Sequence, residues 1–282
     1  MSEKGRADTI QNTTETVMVP RHVEPILAVI GELAASRGMP AYAVGGCVRD
    51  WLLEIARTTD LDLTIVGNGI VFARQMAQAL GAGVKLHEQF GTATVLAPWS
   101  TAGGRPPRHG FLRIDLATAR KETYARPAAY PKVSAGTLEE DLFRRDFTVN
   151  AMAVALAPGQ LWTLIDPFGG RKALRRQELR MLHRRSFLDD PSRILRGLRF
   201  GQRFGLRWER QTERAMKEAL AAGALGWLNA GRLQKELDRM TREPDPRRCF
   251  DALAALLAGC GTTLKTATAA CSSIVHSKNA LE

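Results

Sequence analysis

Histidine, cysteine and tyrosine are scarce in this sequence, with five, four and three residues among 282. Cys47, Cys249, Cys260 and Cys271 form no C-x-x-C pair, and histidine is too sparse to complete a zinc site. That spacing argues against a structural zinc and against a disulfide framework, so free thiols in a reducing cytoplasm are expected. His22, His87, His109, His183 and His276 fall in no motif and are assigned to surface or packing roles. No apolar run reaches the roughly 20 residues a membrane span requires. The first twenty residues lack the apolar stretch of a secretory signal and carry both charge signs, and they read as a mobile arm. The VGNG at 66–69 lacks the third glycine of a dinucleotide fingerprint, which removes an NAD-type reading.

Acidic residues are also in deficit, 29 against 40 Lys and Arg, for a net charge of +11. The imbalance is concentrated. Residues 171–210 hold thirteen basic residues, twelve of them Arg, against four acidic ones. Such a block suits a polyanionic partner, because phosphates neutralised by the protein release condensed counterions. Arginine in particular presents a planar fork that matches phosphate oxygens. The alternative is a solvated helical face without a partner.

What is present alternates between two periodicities. VEPILAVIGELAASRG, 23–38, has helical spacing with a glycine stop. YAVG reads as a strand entering Gly45-Gly46, and Cys47 to about Arg57 as a helix. DLDLTIVG is a strand, IVFARQMAQALG a helix, VKLHEQFGTATVLA a strand pair and FLRIDLATA a strand. Residues 98–110 and 120–137 read as polar, proline-bearing loops. A short helix through LEEDLFRR, a strand-like VNAMAVAL and LWTLIDPFGG follow, and from about 171 the pattern is helical. The expected class is α+β: a mixed-sheet head over 21–170, preceded by the arm 1–20. An all-helical segment over 171–258 and a disordered tail over 259–282 complete it.

Residues 41–69 concentrate the chemistry. Side chains two apart on a strand share a face, so Asp60 and Asp62 project together with Leu61 and Leu63 behind them. Two carboxylates so placed repel unless a cation lies between them, and Mg²⁺ takes a few carboxylates plus substrate phosphates. Alone, a D-x-D is equally a pair of surface acids. Here it follows a strand–Gly-Gly–helix turn, where glycine lets backbone approach a ligand and the helix start offers N–H groups to phosphate. Arg49 sits one turn into that helix, and Asp50 is placed to hold it. The set points to a nucleoside triphosphate with two metals, one activating a hydroxyl and one clamping pyrophosphate.

GGCVRD with DLDL resembles the first motif of the class II tRNA nucleotidyltransferases and bacterial poly(A) polymerases, of the DNA polymerase β-like nucleotidyltransferase superfamily. EEDLFRRDFTVNAMA at 139–153, IDPFGG at 165–170 and LDDPSRILRGLRF at 188–200 resemble three further motifs in the same order, so the likeness covers about 41–205. It implies that Gly45, Gly46 and Arg49 bind nucleotide phosphates and that Asp60 and Asp62 are catalytic and hold Mg²⁺. It implies that Arg145 contacts the nucleotide and that Asp146 helps select ribose. Asp190 and Arg193 would offer an acceptor and donors to a base edge, with Arg196 and Arg199 beside the phosphates. Protein side chains would then serve as template, choosing C or A.

Asp115 is a candidate third carboxylate, or a strand-end surface acid. Glu122 and its loop fall where the family carries a flexible loop tied to the switch from C to A addition. The last motif begins Asp189-Asp190 where the family has Glu-Asp. The implied activity is Mg²⁺-dependent addition of CMP and AMP from CTP and ATP to the 3′ end of tRNA, releasing pyrophosphate. Open alternatives are an A-adding or CC-adding specialist, a poly(A) polymerase, or an inactive RNA- or nucleotide-binding remnant. By the same resemblance, a helical body and tail would follow the neck, and most of that length is not expected here.

Overall fold

The computed structural model describes residues 15–55, 60–99 and 110–259. These divide into two compact units, the described residues within 1–121, 135–143 and 150–171 and those within 122–134, 144–149 and 172–282.

The first unit is built on a seven-stranded mixed sheet. Helix α1 (Glu24–Ser36) leads into β1 (Ala41–Val44), α2 (Gly46–Leu52), β2 (Asp60–Ile65), α3 (Gly69–Ala79), β3 (Gly83–His87), β4 (Thr92–Pro98) and β5 (Phe111–Thr118). Strands β6 (Arg120–Thr123) and β7 (Lys132–Ala135) make a two-stranded sheet of their own, most of whose residues belong to the second unit. Helix α4 (Leu138–Phe143), β8 (Ala153–Ala155) and β9 (Leu164–Ile165) complete the series. The sheet order is β3-β4-β5-β2-β1-β8-β9, with β2 parallel to β5 and the other neighbours antiparallel.

Local chemistry explains the elements. Asn68 caps α3 by accepting from the Val71 N–H at 3.0 Å, and Phe72, Ala73, Met76 and Ala77 bury one face of that helix. On β2 the alternation is strict at its start: Leu61 and Leu63 are buried while Asp60 and Asp62 are exposed. Gly45 ends β1 at φ +73°, a conformation closed to residues with a Cβ, and turns the chain into α2.

The second unit holds α5 (Gly170–Arg175), β10 (Glu178–Leu179), α6 (Ser186–Asp189), α7 (Ser192–Phe204), β11 (Arg207–Trp208), α8 (Arg210–Ala221), α9 (Ala230–Met240) and α10 (Pro246–Gly259). Its core is aromatic. Phe147 contacts Phe187, Phe200 and Trp208 with centroids 5.8–6.3 Å apart, in tilted and edge-to-face poses. Gly197 of α7 lies against this cluster, where a Cβ would fall 2.0 Å from the Trp208 ring.

Several expectations need correction. The segment 120–137 is not a plain loop: β6 and β7 pair within it. β7 is exposed along its whole length and β6 alternates only between half-buried and exposed polar residues, so neither displays a hydrophobic alternation. Helix α2 stops at Leu52 rather than near Arg57, with Glu54 in the left-handed region at φ +56°. The stretch after 171 is not wholly helical, since β10 pairs in parallel with β11. Of the arm expected over 1–20, residues 1–14 lie outside the described residues. Residues 15–20 are held: Thr16 bridges Thr163, the Val17 N–H donates to the Trp162 carbonyl at 2.8 Å, and Val17 and Val19 are buried. The expected tail lies outside the described residues apart from Gly259, and the 98–110 loop lies largely outside them. Among the described residues no helix is long and apolar enough to cross a membrane.

Candidate active site

In the first unit, β2 presents Asp60 and Asp62 on one exposed face. The parallel pairing with β5 sets Asp62 opposite Asp115 and Asp60 opposite Arg113, so three carboxylates and one cation share a surface. Asp115 is already engaged. It accepts from Thr94 Oγ1 at 2.7 Å and pairs with Arg113 at 2.9 Å. The hydrogen bond to Asp115 is the leading reason the Arg113 guanidinium holds its proton more tightly than usual, with the charges of Asp60 and Asp62 adding to it.

Among the described residues no group of three or more His, Cys, Asp or Glu side chains is gathered closely enough to hold a metal ion. Asp60 and Asp62 are the exposed carboxylates on this surface that could hold a divalent cation, with Asp115 opposite Asp62. Two accessible oxygen ligands suit Mg²⁺, which keeps several waters and binds through one or two carboxylates plus phosphate. A soft ligand is withheld: the Cys47 thiol is buried and donates to the Val44 carbonyl at 3.3 Å. Burial, then the charge of Asp62, pushes its pKa up to about 12.

The turn before β2 is equally organised. Arg49 is buried at 6% exposure. Its Nε and Nη2 donate to Asp50 Oδ1 at 2.9 and 2.7 Å, and Nη1 donates to Asn150 Oδ1 at 2.6 Å. Asn150 lies 101 positions away in sequence, so no local spacing links it to Arg49. At Gly46 a Cβ would stand 3.6 Å from Arg49 Nη2, so the glycine leaves bare backbone beside the guanidinium.

The second unit carries the remaining predicted residues. Arg144 pairs with Glu122 at 3.2 Å, and Tyr124 donates its hydroxyl to the same carboxylate at 2.9 Å. Arg145 is half-buried. Asp146 is buried; Oδ1 accepts from the Phe147 N–H at 2.8 Å and Oδ2 takes Arg196 Nε and Nη2 at 2.7 and 2.6 Å. Asp146 is the main reason the Arg196 pKa is raised. Arg193 is buried and donates to Ser186 Oγ at 2.7 Å and to the Arg144 carbonyl at 2.6 Å. Arg199 pairs with Glu243 at 2.9 Å and lies over the Phe200 ring. Arg193, Arg196 and Arg199, spaced by three along α7, are each answered by a different partner. Asp190 accepts on Oδ1 from the Ser192 N–H at 3.0 Å, Ser192 Oγ at 2.5 Å and Arg232 Nη2 at 2.6 Å. Arg232 carried no sequence signal, because its partners are brought to it only by folding.

Comparison with known proteins gives these contacts a context. Residues 41–180 match the poly A polymerase head domain. An A-adding tRNA nucleotidyltransferase of Geobacter sulfurreducens is 40% identical over 228 residues, 81% of this chain and 24% of that protein. An A-adding tRNA nucleotidyltransferase of Halalkalibacterium halodurans is 38% identical over 254 residues, 89% of this chain and 56% of that protein. The solved structure of a CCA-adding enzyme, apo form II, is similar with a TM-score of 0.74 at 36% identity, covering 85% of this chain and 56% of that one. The chain thus spans about half, or less, of the length of these relatives.

Proposed function

Because the chain belongs to the poly A polymerase head-domain family, we propose that it transfers AMP from ATP to the 3′ end of tRNA without a nucleic-acid template. The observation that carries this reading is the β2 surface, where Asp60 and Asp62 stand exposed on one face beyond the Gly45-Gly46 turn and its buried Arg49. The names of the two relatives support A addition in particular.

In this reaction the RNA 3′-hydroxyl gives up its proton to solvent as its oxygen forms a bond to the α-phosphorus, and the bond from that phosphorus to the bridging oxygen breaks. Pyrophosphate leaves with that oxygen, and no covalent enzyme intermediate is needed. Asp60 and Asp62 would hold the divalent cation, which supplies a lowered hydroxyl pKa and charge neutralisation on the phosphates. Gly45, Gly46, Arg49 and Arg145 would seat the triphosphate. Asp146 would sit by the ribose while holding Arg196 in place. Asp190 and Arg193 would read the base edge. The Arg193 guanidinium has five donors, of which the two firm contacts use two. Arg196 and Arg199, held by Asp146 and Glu243, would lie beside the phosphates. Residues 171–258 would serve as the helical neck, their arginines drawing in the RNA backbone.

A second reading, complete CCA addition using both CTP and ATP, is favoured by the likeness to a CCA-adding enzyme. One assay separates the readings: tRNAs ending before CCA, after C and after CC, given Mg²⁺ with CTP, ATP or both, and resolved at single-nucleotide length. A addition to the CC-ended tRNA alone supports the proposal. Ordered growth to CCA supports the second reading, and long A tails a poly(A) polymerase. Absence of any addition overturns both transfer readings. The double variant Asp60→Ala, Asp62→Ala should lose extension; extension that persisted would refute the metal assignment.

A further inference from the structure

The contacts around Asp190 are asymmetric. Every donor that reaches it among the described residues lands on Oδ1: the Ser192 backbone, the Ser192 hydroxyl and Arg232. Oδ2 keeps its acceptor capacity, and the side chain is 22% exposed. Three donors on one oxygen fix the plane of the carboxylate and so the direction of the other.

Arg232 does more than satisfy that oxygen. Its Nη1 donates to the Ala128 carbonyl at 3.0 Å, in the segment between β6 and β7. Ala128 is a non-glycine residue at φ +54°, and its N–H is held by the Leu188 carbonyl at 3.0 Å. The Arg232 guanidinium also lies 5.7 Å from the Tyr130 ring centroid, and the Tyr130 hydroxyl accepts from Asn229 Nδ2 at 2.9 Å. Asn229 in turn caps α9 by accepting from the Arg232 N–H at 2.9 Å. One side chain thus joins the tip of the β6–β7 hairpin, the start of α9 and the acid on the approach to α7. A left-handed alanine persists only where its surroundings over-determine it, and here both its backbone polar groups are clamped.

We propose that Arg232 is a specificity-positioning residue, which aims Asp190 Oδ2 at the exocyclic amino group of the incoming base and ties that aim to the hairpin. An aimed acceptor favours bases carrying an amino group at that edge, as adenine does at C6. It disfavours those presenting a carbonyl there, as hypoxanthine does. The inference rests on the nucleotide-binding reading above.

The test compares ATP with inosine triphosphate, each titrated calorimetrically with Mg²⁺ into the full chain and into Arg232→Ala and Arg232→Lys. The two nucleotides share a triphosphate, so loss of general charge weakens both alike and only their affinity ratio reports the base edge. The wild type should prefer ATP by about tenfold, on the order of one base-edge hydrogen bond. Arg232→Ala should bring the ratio to within about twofold, and Arg232→Lys, which keeps the charge but not the two-pronged fork, should lie between. Amide exchange over 125–130 should quicken in both variants as Ala128 is released.

A ratio unchanged in both variants while the wild type discriminates overturns the inference and leaves the functional reading standing. A wild type that binds neither nucleotide removes both. Should Arg232→Ala fail to fold, Arg232→Lys decides the matter: a wild-type ratio with unchanged exchange over 125–130 overturns the proposal.

Discussion

Replacing Gly197 by alanine puts a single methyl group into the aromatic core of the second unit. The new Cβ would lie 2.0 Å from Trp208 Cη2, 2.7 Å from Cζ3 and 2.8 Å from Phe147 Cζ. Carbon atoms settle at about 3.5–4.0 Å, so the indole must retreat by roughly 1.5 Å. It has nowhere to go without disturbing Phe147 and Phe187, which it meets edge-on at 5.8 and 6.2 Å between centroids. Helix propensity pulls the other way, since alanine in a helix interior gains about 1 kcal/mol over glycine. Overpacking costs typically about 1–3 kcal/mol, and a rigid ring at this distance belongs at the upper end. The net is about 2 kcal/mol of destabilisation, or a melting temperature lower by about 4–8 °C for a chain of this size class.

Thermal unfolding followed by circular dichroism measures this directly. Gly231→Ala is the control: its Cβ meets only Asn229 Oδ1 at an ordinary 3.6 Å, so the melting temperature should hold or rise. Adding Trp208→Phe removes the outer indole ring and should return part of the loss, a positive coupling between neighbours. Because α7 also carries Arg193 and Arg196, Gly197→Ala should weaken ATP binding as well. A melting temperature at or above that of the wild type would refute the packing argument, as would a double variant no better than the sum of the singles.

Other outcomes follow from single contacts. Burial, and then the charge of Arg193, lowers the His183 pKa, with Arg185 adding to this and Asp189 opposing it. The unfolded chain therefore takes up this proton first, and stability should fall as pH drops below about 6.5 towards the depressed value. His183→Gln should flatten that part of a plot of melting temperature against pH, and an unchanged slope would count against the assignment. Cys47, its pKa held at about 12, should resist iodoacetamide at mildly alkaline pH in the folded chain and react after urea treatment. Peptide mapping by mass spectrometry separates it from the other cysteines, and rapid native labelling at Cys47 would contradict its burial. Binding to tRNA should weaken steeply with salt, given the arginine block, and affinity unchanged across a several-fold rise in salt would refute a backbone-led contact.

The head was readable where physics leaves a local trace. Period-two alternation placed Asp60 and Asp62 together, paired glycines marked the turn before α2, and apolar spacing gave α1 and α3. In sequence the hairpin of β6 and β7 is indistinguishable from a loop, because Lys132–Ala135 is exposed along its whole length and displays no apolar face. The end of α2 leaves no mark in the sequence, because nothing in its composition announces the left-handed Glu54. Site partners were legible only when adjacent in sequence. Asp50 stands beside Arg49 in the sequence, whereas Asn150 and Arg232 act across 101 and 42 positions and have no periodic signature. The arginines of α7 were visible as a series, but the acids that answer them, Asp146 and Glu243, come from distant segments.

The pairing of β1 has a consequence for synthesis. β1 lies between β2 and β8, and Tyr42 is in register with Ala155, roughly 110 residues downstream. At about 5–20 residues per second, a ribosome takes roughly 5–20 s to deliver that partner. During this interval the Gly-Gly turn can form with one flank of β1 already zipped to β2, while the other flank offers open backbone to any passing strand. The nascent chain thus carries an open strand edge at the element that runs into the Gly45-Gly46 turn. A trigger for cotranslational chaperone capture is therefore expected to open as β1 leaves the exit tunnel and to close when β8 arrives.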